Sequence, residues 1–270
     1  YPALHLRSLC YENTGAVDNA LEDILNALVV APSNWLFAEE ANRMVRNLAN
    51  KTKLKTNHFC HKATTLYKKK AWKSAEVGYT KTILFDPKHR HAYIQRANIR
   101  SSMALRSKSD PFLKASSFLG AYYDCIKWAE LKPEEKAYLR AGDHMISFLG
   151  SIILLDPGEQ REHYGRAYNC YKDAIKYNPK DANAYFNLGR LSRYISLEPE
   201  AALHYYTKAI GLNPKYSEAY ANRGNIRQRT GDLKGAVIDW KKALEVAPPK
   251  WGYRSMVEKK LKSVSSPKQP

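Results

Sequence analysis

Small and aromatic residues recur along this chain at the spacing of a helix face. Residues three or four apart share one face of a helix, so Ala202, Tyr206 and Ala209, and again Ala236, Trp240 and Ala243, each form one stripe suited to burial. Both stripes end at a proline, Pro214 and Pro248, and the two prolines stand 34 residues apart. Ahead of each stripe lies another, Tyr185 to Gly189 and Ala219 to Gly224, and Gly231 marks a turn inside the later unit. The pattern predicts antiparallel helix pairs in which neither helix can cover its apolar stripe alone, so that pairs must stack.

The same signs extend upstream. Phe59, Ala63, Tyr67, Ala75, Tyr79 and Pro87 fit one unit. Tyr93 and Ala97, followed by Ala121 and Pro133, fit a second that carries an insertion near 100–118, rich in serine and expected to be a turn-rich docking loop. Ala167, Tyr171, Ala174 and Pro179 close a third, degenerate unit whose first helix, about 135–155, lacks the expected glycine. These spacings resemble the tetratricopeptide repeat family. The resemblance implies an all-α fold, a right-handed superhelical stack of about five helix pairs over residues 55–249, with a concave face lined by the first helix of each pair as the binding surface. Residues 1–54 read as an atypical helical cap, 250–263 as a capping helix and 264–270 as a flexible tail.

Charge changes the picture. The net charge is +18, and it is segregated: Arg43 to Lys108 holds 17 Lys and Arg against Glu76 and Asp86, whereas Tyr1 to Asn42 holds Arg7 against six acids. Such a field draws anionic partners. The candidates for an acidic-partner patch are Lys62, Lys68, Lys69, Lys70, Lys73, Arg90, Arg96 and Arg100. The competing expectation is internal: the acidic N-terminal helices dock on the basic first repeat, or the cations are simply solvated. Tyr67, Tyr79, Tyr93, Tyr185, Tyr206 and Tyr220 fall on packing positions of the repeat, so they are expected in the core rather than stacked on bases.

The resemblance also suggests a site. Some tetratricopeptide proteins clamp a partner's C-terminal carboxylate with Asn and Lys side chains on successive first helices. Asn187 and Asn222 hold the Asn position here, but Phe186 and Ala221 stand where the clamp has Lys, and no full unit follows. What remains is a polar groove on the later units, to which Asn187, Arg190, Arg193, Asn222, Asn225 and Arg229 contribute, suited to an extended peptide or helix of a protein partner.

No phosphate loop, nucleophile elbow or His-Glu-x-x-His helix occurs, so no enzyme, cofactor or small-molecule substrate is expected. Cys10, Cys60, Cys125 and Cys170 are unpaired in spacing, which fits a reducing compartment and gives no metal site. No apolar run approaches the roughly 20 residues of a membrane span. The chain opens on Tyr1 rather than Met, so any targeting peptide would lie upstream. The expectation is an intracellular, non-enzymatic scaffold subunit, with an organellar, mitochondrial ribonucleoprotein favoured for its charge. A cytoskeletal or ciliary scaffold in the cytoplasm, a co-chaperone-like peptide adaptor and a direct RNA binder are the alternatives.

Overall fold

In the computed structural model the described residues, all except 1, 33–34, 53–56, 108–109, 153–154, 196–197 and 266–270, form fourteen α-helices and no strand. The chain divides into two compact units, Tyr1–Pro133 and Glu134–Pro270. The first holds α1 (Pro2–Asn13), α2 (Val17–Val30), α3 (Ala38–Lys51), α4 (Asn57–Lys68), α5 (Trp72–Phe85), α6 (Arg90–Arg106) and α7 (Pro111–Leu131). The second holds α8 (Glu135–Leu149), α9 (Pro157–Tyr177), α10 (Ala182–Ile195), α11 (Pro199–Leu212), α12 (Ser217–Arg229), α13 (Leu233–Val246) and α14 (Arg254–Ser265). Consecutive helices pack as pairs, α4 with α5, α6 with α7, α8 with α9, α10 with α11 and α12 with α13.

Helix ends follow from local chemistry. The second helices of the pairs end at Phe85, Leu131, Tyr177, Leu212 and Val246, and a proline stands two residues beyond each, at 87, 133, 179, 214 and 248. A proline there cannot donate to the helix and forces the preceding residue out of helical geometry. Helix α9 starts on a capping box, in which the Asp156 carboxylate accepts from the Glu159 N–H at 3.1 Å and Pro157 supplies the first turn. Turns between paired helices use the left-handed region at Gly15, Lys70 and Gly231, with φ of 76°, 60° and 90°. Lys70 alone among these carries a side chain, at a cost of about 1 kcal/mol.

Small residues set how closely the helices approach. A Cβ on Gly189 would lie 2.8 Å from the Tyr206 ring, and one on Gly224 2.7 Å from the Trp240 ring. Gly142 of α8 stands in the same relation to Tyr171 of α9, also at 2.7 Å. The third unit therefore has its glycine, contrary to the sequence expectation. The long α9 and the connection before it separate the pair by 29 residues and hide it from a fixed repeat length. In the first unit the core gathers Leu21, Ile24 and Leu25 of α2, Val45 and Leu48 of α3 and Phe59 of α4. In the second, Trp251 and Val257 close over Trp240, so α14 covers the last pair.

The N-terminal 54 residues, expected as a helical cap, form three helices, α1 to α3. Within 100–118, every described residue except 107 and 110 is helical rather than looped. Two of its serines bond inside α6, where Ser101 Oγ donates to Ala97 O at 2.7 Å and Ser102 Oγ to Asn98 O at 2.8 Å. Helix α14 takes in residues 264–265 of the expected tail, and 266–270 lie outside the described residues. Tyr79, Tyr93 and Tyr206 are buried, and Tyr67, Tyr185 and Tyr220 half-buried. Among the described residues no helix is long and apolar enough to cross a membrane.

Candidate functional site

The first helices of the last two pairs, with α14, enclose a groove of about 470 Å³. Its floor is Ala221 and its apolar walls are Phe186 and Tyr216 on one side and Tyr253 and Met256 on the other. The Phe186 and Tyr216 rings stand 4.8 Å apart. Burial raises the Tyr216 phenol above its ordinary value, so it stays neutral and donates to Asn183 Oδ1 at 2.9 Å. Phe186 and Ala221, which displace the lysines of the carboxylate clamp, thus make the wall and floor of this groove.

Three of the expected polar residues border it: Arg190, Asn222 and Asn225. Arg190 is exposed, its Nη1 donating to Asn187 Oδ1 at 3.2 Å and its guanidinium 5.8 Å from the Phe186 ring centre. Asn187 therefore serves the groove through Arg190. Asn222 Nδ2 donates to Glu218 O at 2.9 Å, and Asn225 Oδ1 accepts from Trp240 Nε1 at 3.3 Å, bonds that leave the Asn222 carbonyl and the Asn225 amide unused. Glu218 is occupied by Trp251 Nε1 at 2.9 Å. Arg229 is exposed at the end of α12 and does not border the groove, and the side chain of Arg193 lies outside what the structure describes. The aromatic lining, Tyr216 and Tyr253, was missed in the sequence because both residues precede their helices and lie off the repeat's periodic positions.

The basic candidates separate into two groups. Lys62, Lys68, Lys69, Lys70 and Lys73 are exposed and Arg90 half-buried. Arg96 and Arg100 turn inward: Arg96 Nη2 donates to Asp124 Oδ1 at 2.6 Å, and Arg100 donates to Glu76 at 2.7 Å and to Asp124 at 3.0 Å. Asp124 is 2% exposed, so these two cations hold the α6–α7 pair together rather than face a partner. The internal match between acidic and basic segments also forms in part, with Glu22 of α2 3.9 Å from Lys62 and 3.3 Å from Lys81.

Two family models described as tetratricopeptide repeat match residues 170–203 and 196–250. No curated protein matches the chain. Among solved structures, the MamA protein superposes with a TM-score of 0.55 at 20% identity, over 80% of this chain and 98% of that one. MamA 41-end from Desulfovibrio magneticus RS-1 gives 0.53 at 16%, over 71% and 94%. YrrB, a TPR protein with an unusual peptide-binding site, gives 0.58 at 15%, over 81% and 97%. At these identities the likeness is one of fold. Glycine against aromatic, proline-ended helix pairs and the matched residues together establish that this chain carries tetratricopeptide repeats, directly matched over residues 170–250.

Proposed function

We propose that this chain is a non-enzymatic scaffold that holds an extended segment of a partner protein in the groove between Phe186, Tyr216 and Tyr253. The observation carrying this reading is the union of an apolar trough with one exposed guanidinium, Arg190, and two half-engaged amides, Asn222 and Asn225. Apolar walls supply affinity, amides register an extended backbone, and the cation selects a carboxylate. That YrrB, which shares the fold, is a TPR protein with an unusual peptide-binding site supports the choice of ligand class.

In the same reading the exposed lysines of the first unit meet an acidic partner in a larger assembly, an organellar ribonucleoprotein by preference. The support is their sign and density: Lys68, Lys69, Lys70 and Lys73 cluster around one turn. The test is affinity capture from native lysate, with and without nuclease, comparing the natural chain with one bearing Glu at positions 68, 69, 70 and 73. Release of the main partners by both treatments is expected; retention under both would return those lysines to the role of solvated surface.

A further inference from the structure

Away from the groove, the edge where α5 begins, α6 ends and α7 begins carries a second recess of about 480 Å³. Its apolar lining is Trp72, Met103 and Leu113, and its cations are Lys73 and Arg106. Beside it the chain leaves large apolar side chains in water: Phe112 is 86% exposed and Leu105 71%. Aliphatic and aromatic groups exposed together beside a recess are the mark of a contact surface rather than of a solvated one. Its size falls in the range of about 300–1,000 Å³ typical of binding pockets.

We propose that this recess docks an acidic amphipathic segment of a partner protein, which seats one or two apolar side chains on Met103 and Leu113 and places its carboxylates on Lys73 and Arg106. The inference rests on the proposed acidic partner of the first unit and gives it an address. Charge complementarity selects the occupant. No carboxylate lines the recess, and two acids of the helices that form it are engaged, Asp110 accepting from the Leu113 N–H at 2.9 Å and Glu76 from Arg100 at 2.7 Å. Lys68 ends α4, and Lys69 and Lys70 form the turn that leads into Ala71 of the lining. A nucleic acid matches the sign but not the lining: it gains nothing from Met103 and Leu113, and the Trp72 ring is already covered by the Arg106 guanidinium at 4.8 Å and met edge-on by Tyr67 at 5.1 Å. Lys73 and Arg106 are exposed, so a partner that covers them would desolvate cations beside an apolar anchor, the arrangement from which interface hot spots are built.

The test uses the full chain and fluorescence polarisation with three labelled probes: a helical peptide of Glu with a Leu and Trp stripe, the same peptide with the stripe changed to Ala, and a uridine oligonucleotide. The striped peptide is expected to bind at least tenfold more tightly than the other two. Arg106→Glu and the exposed-site change Leu113→Ser are each expected to weaken it about tenfold, while the folded, helical circular-dichroism spectrum at assay temperature is retained. Equal binding of the two peptides, tighter binding of the oligonucleotide, or indifference to both substitutions would overturn the proposal. If those substitutions do nothing but reversal of Lys68, Lys69 and Lys70 abolishes peptide binding, the acidic-partner reading stands and this address falls. If neither set matters, both fall. Sedimentation showing self-association that Leu113→Ser abolishes would assign the recess to a second copy of the chain and overturn it also.

Discussion

Arg223 of α12 grips Asp239 of α13 through two parallel donors, Nε at 2.9 Å and Nη2 at 2.6 Å, while its Nη1 reaches Thr207 at 3.1 Å. Arg227 adds a third bond to the same carboxylate at 2.9 Å. The first unit repeats the device: Arg96 holds Asp124 and Thr80, and Arg100 adds a bond to Asp124. Asp239 is 1% exposed, so its charge is tolerable only because two guanidinium groups surround it. Replacing Asp239 with Ala strands those cations and is expected to cost about 3–5 kcal/mol. Urea denaturation monitored at 222 nm measures it; a loss under 1 kcal/mol would show that solvent, not the carboxylate, satisfies the arginines.

The glycines divide into two kinds with opposite outcomes. Gly142→Ala pushes a methyl into the Tyr171 ring and is expected to destabilise by about 1–3 kcal/mol. Gly165→Ala, in the middle of α9 with nothing within 4 Å, is expected to stabilise by about 1 kcal/mol through helix propensity. Thermal melts of the two variants decide; shifts of the same sign would refute the assignment of Gly142 to the repeat's close contact.

Lys70 occupies a left-handed turn position that its counterparts fill with glycine. Lys70→Gly is expected to gain about 1 kcal/mol by relieving that backbone strain. A denaturation midpoint that does not rise would mean the side chain makes a compensating contact.

Sequence spacing made the helix pairs legible because alanines, aromatics and terminal prolines are local signals. The fate of Arg96 and Arg100 was not local: Asp124 lies 28 and 24 residues away, on the opposite helix of the pair. A run of cations therefore read as one patch although two of its members are internal. A signal existed, since Arg-x-Asn-Ile-Arg recurs at 96–100 and 223–227, and Gly-Ala-x-x-Asp at 120–124 and 235–239. The groove was half legible. Its polar members sit at repeat positions, whereas Tyr216 and Tyr253 reach it from the segments before α12 and α14, where no periodicity operates.

His144 is buried beside Arg140, and desolvation followed by that positive charge lowers its pKa to about 4 from an ordinary 6.5. The folded protein thus refuses a proton that the unfolded chain accepts. Stability from this group is complete above pH 6.5 and falls by about 3 kcal/mol as pH drops towards 4. His144→Gln is expected to flatten that part of the profile. Parallel pH dependences for the two proteins would exclude His144 as its source.

The groove of the second unit is proposed to hold a partner segment. Tyr253 lines it and is 54% exposed. Benzoylphenylalanine incorporated at position 253, irradiated in native lysate and mapped by mass spectrometry, reports directly what occupies the groove. If a partner segment sits there, cross-links concentrate on one short stretch of one protein and are lost with Arg190→Glu. Cross-links scattered over unrelated surfaces, or undiminished by Arg190→Glu, would contradict it.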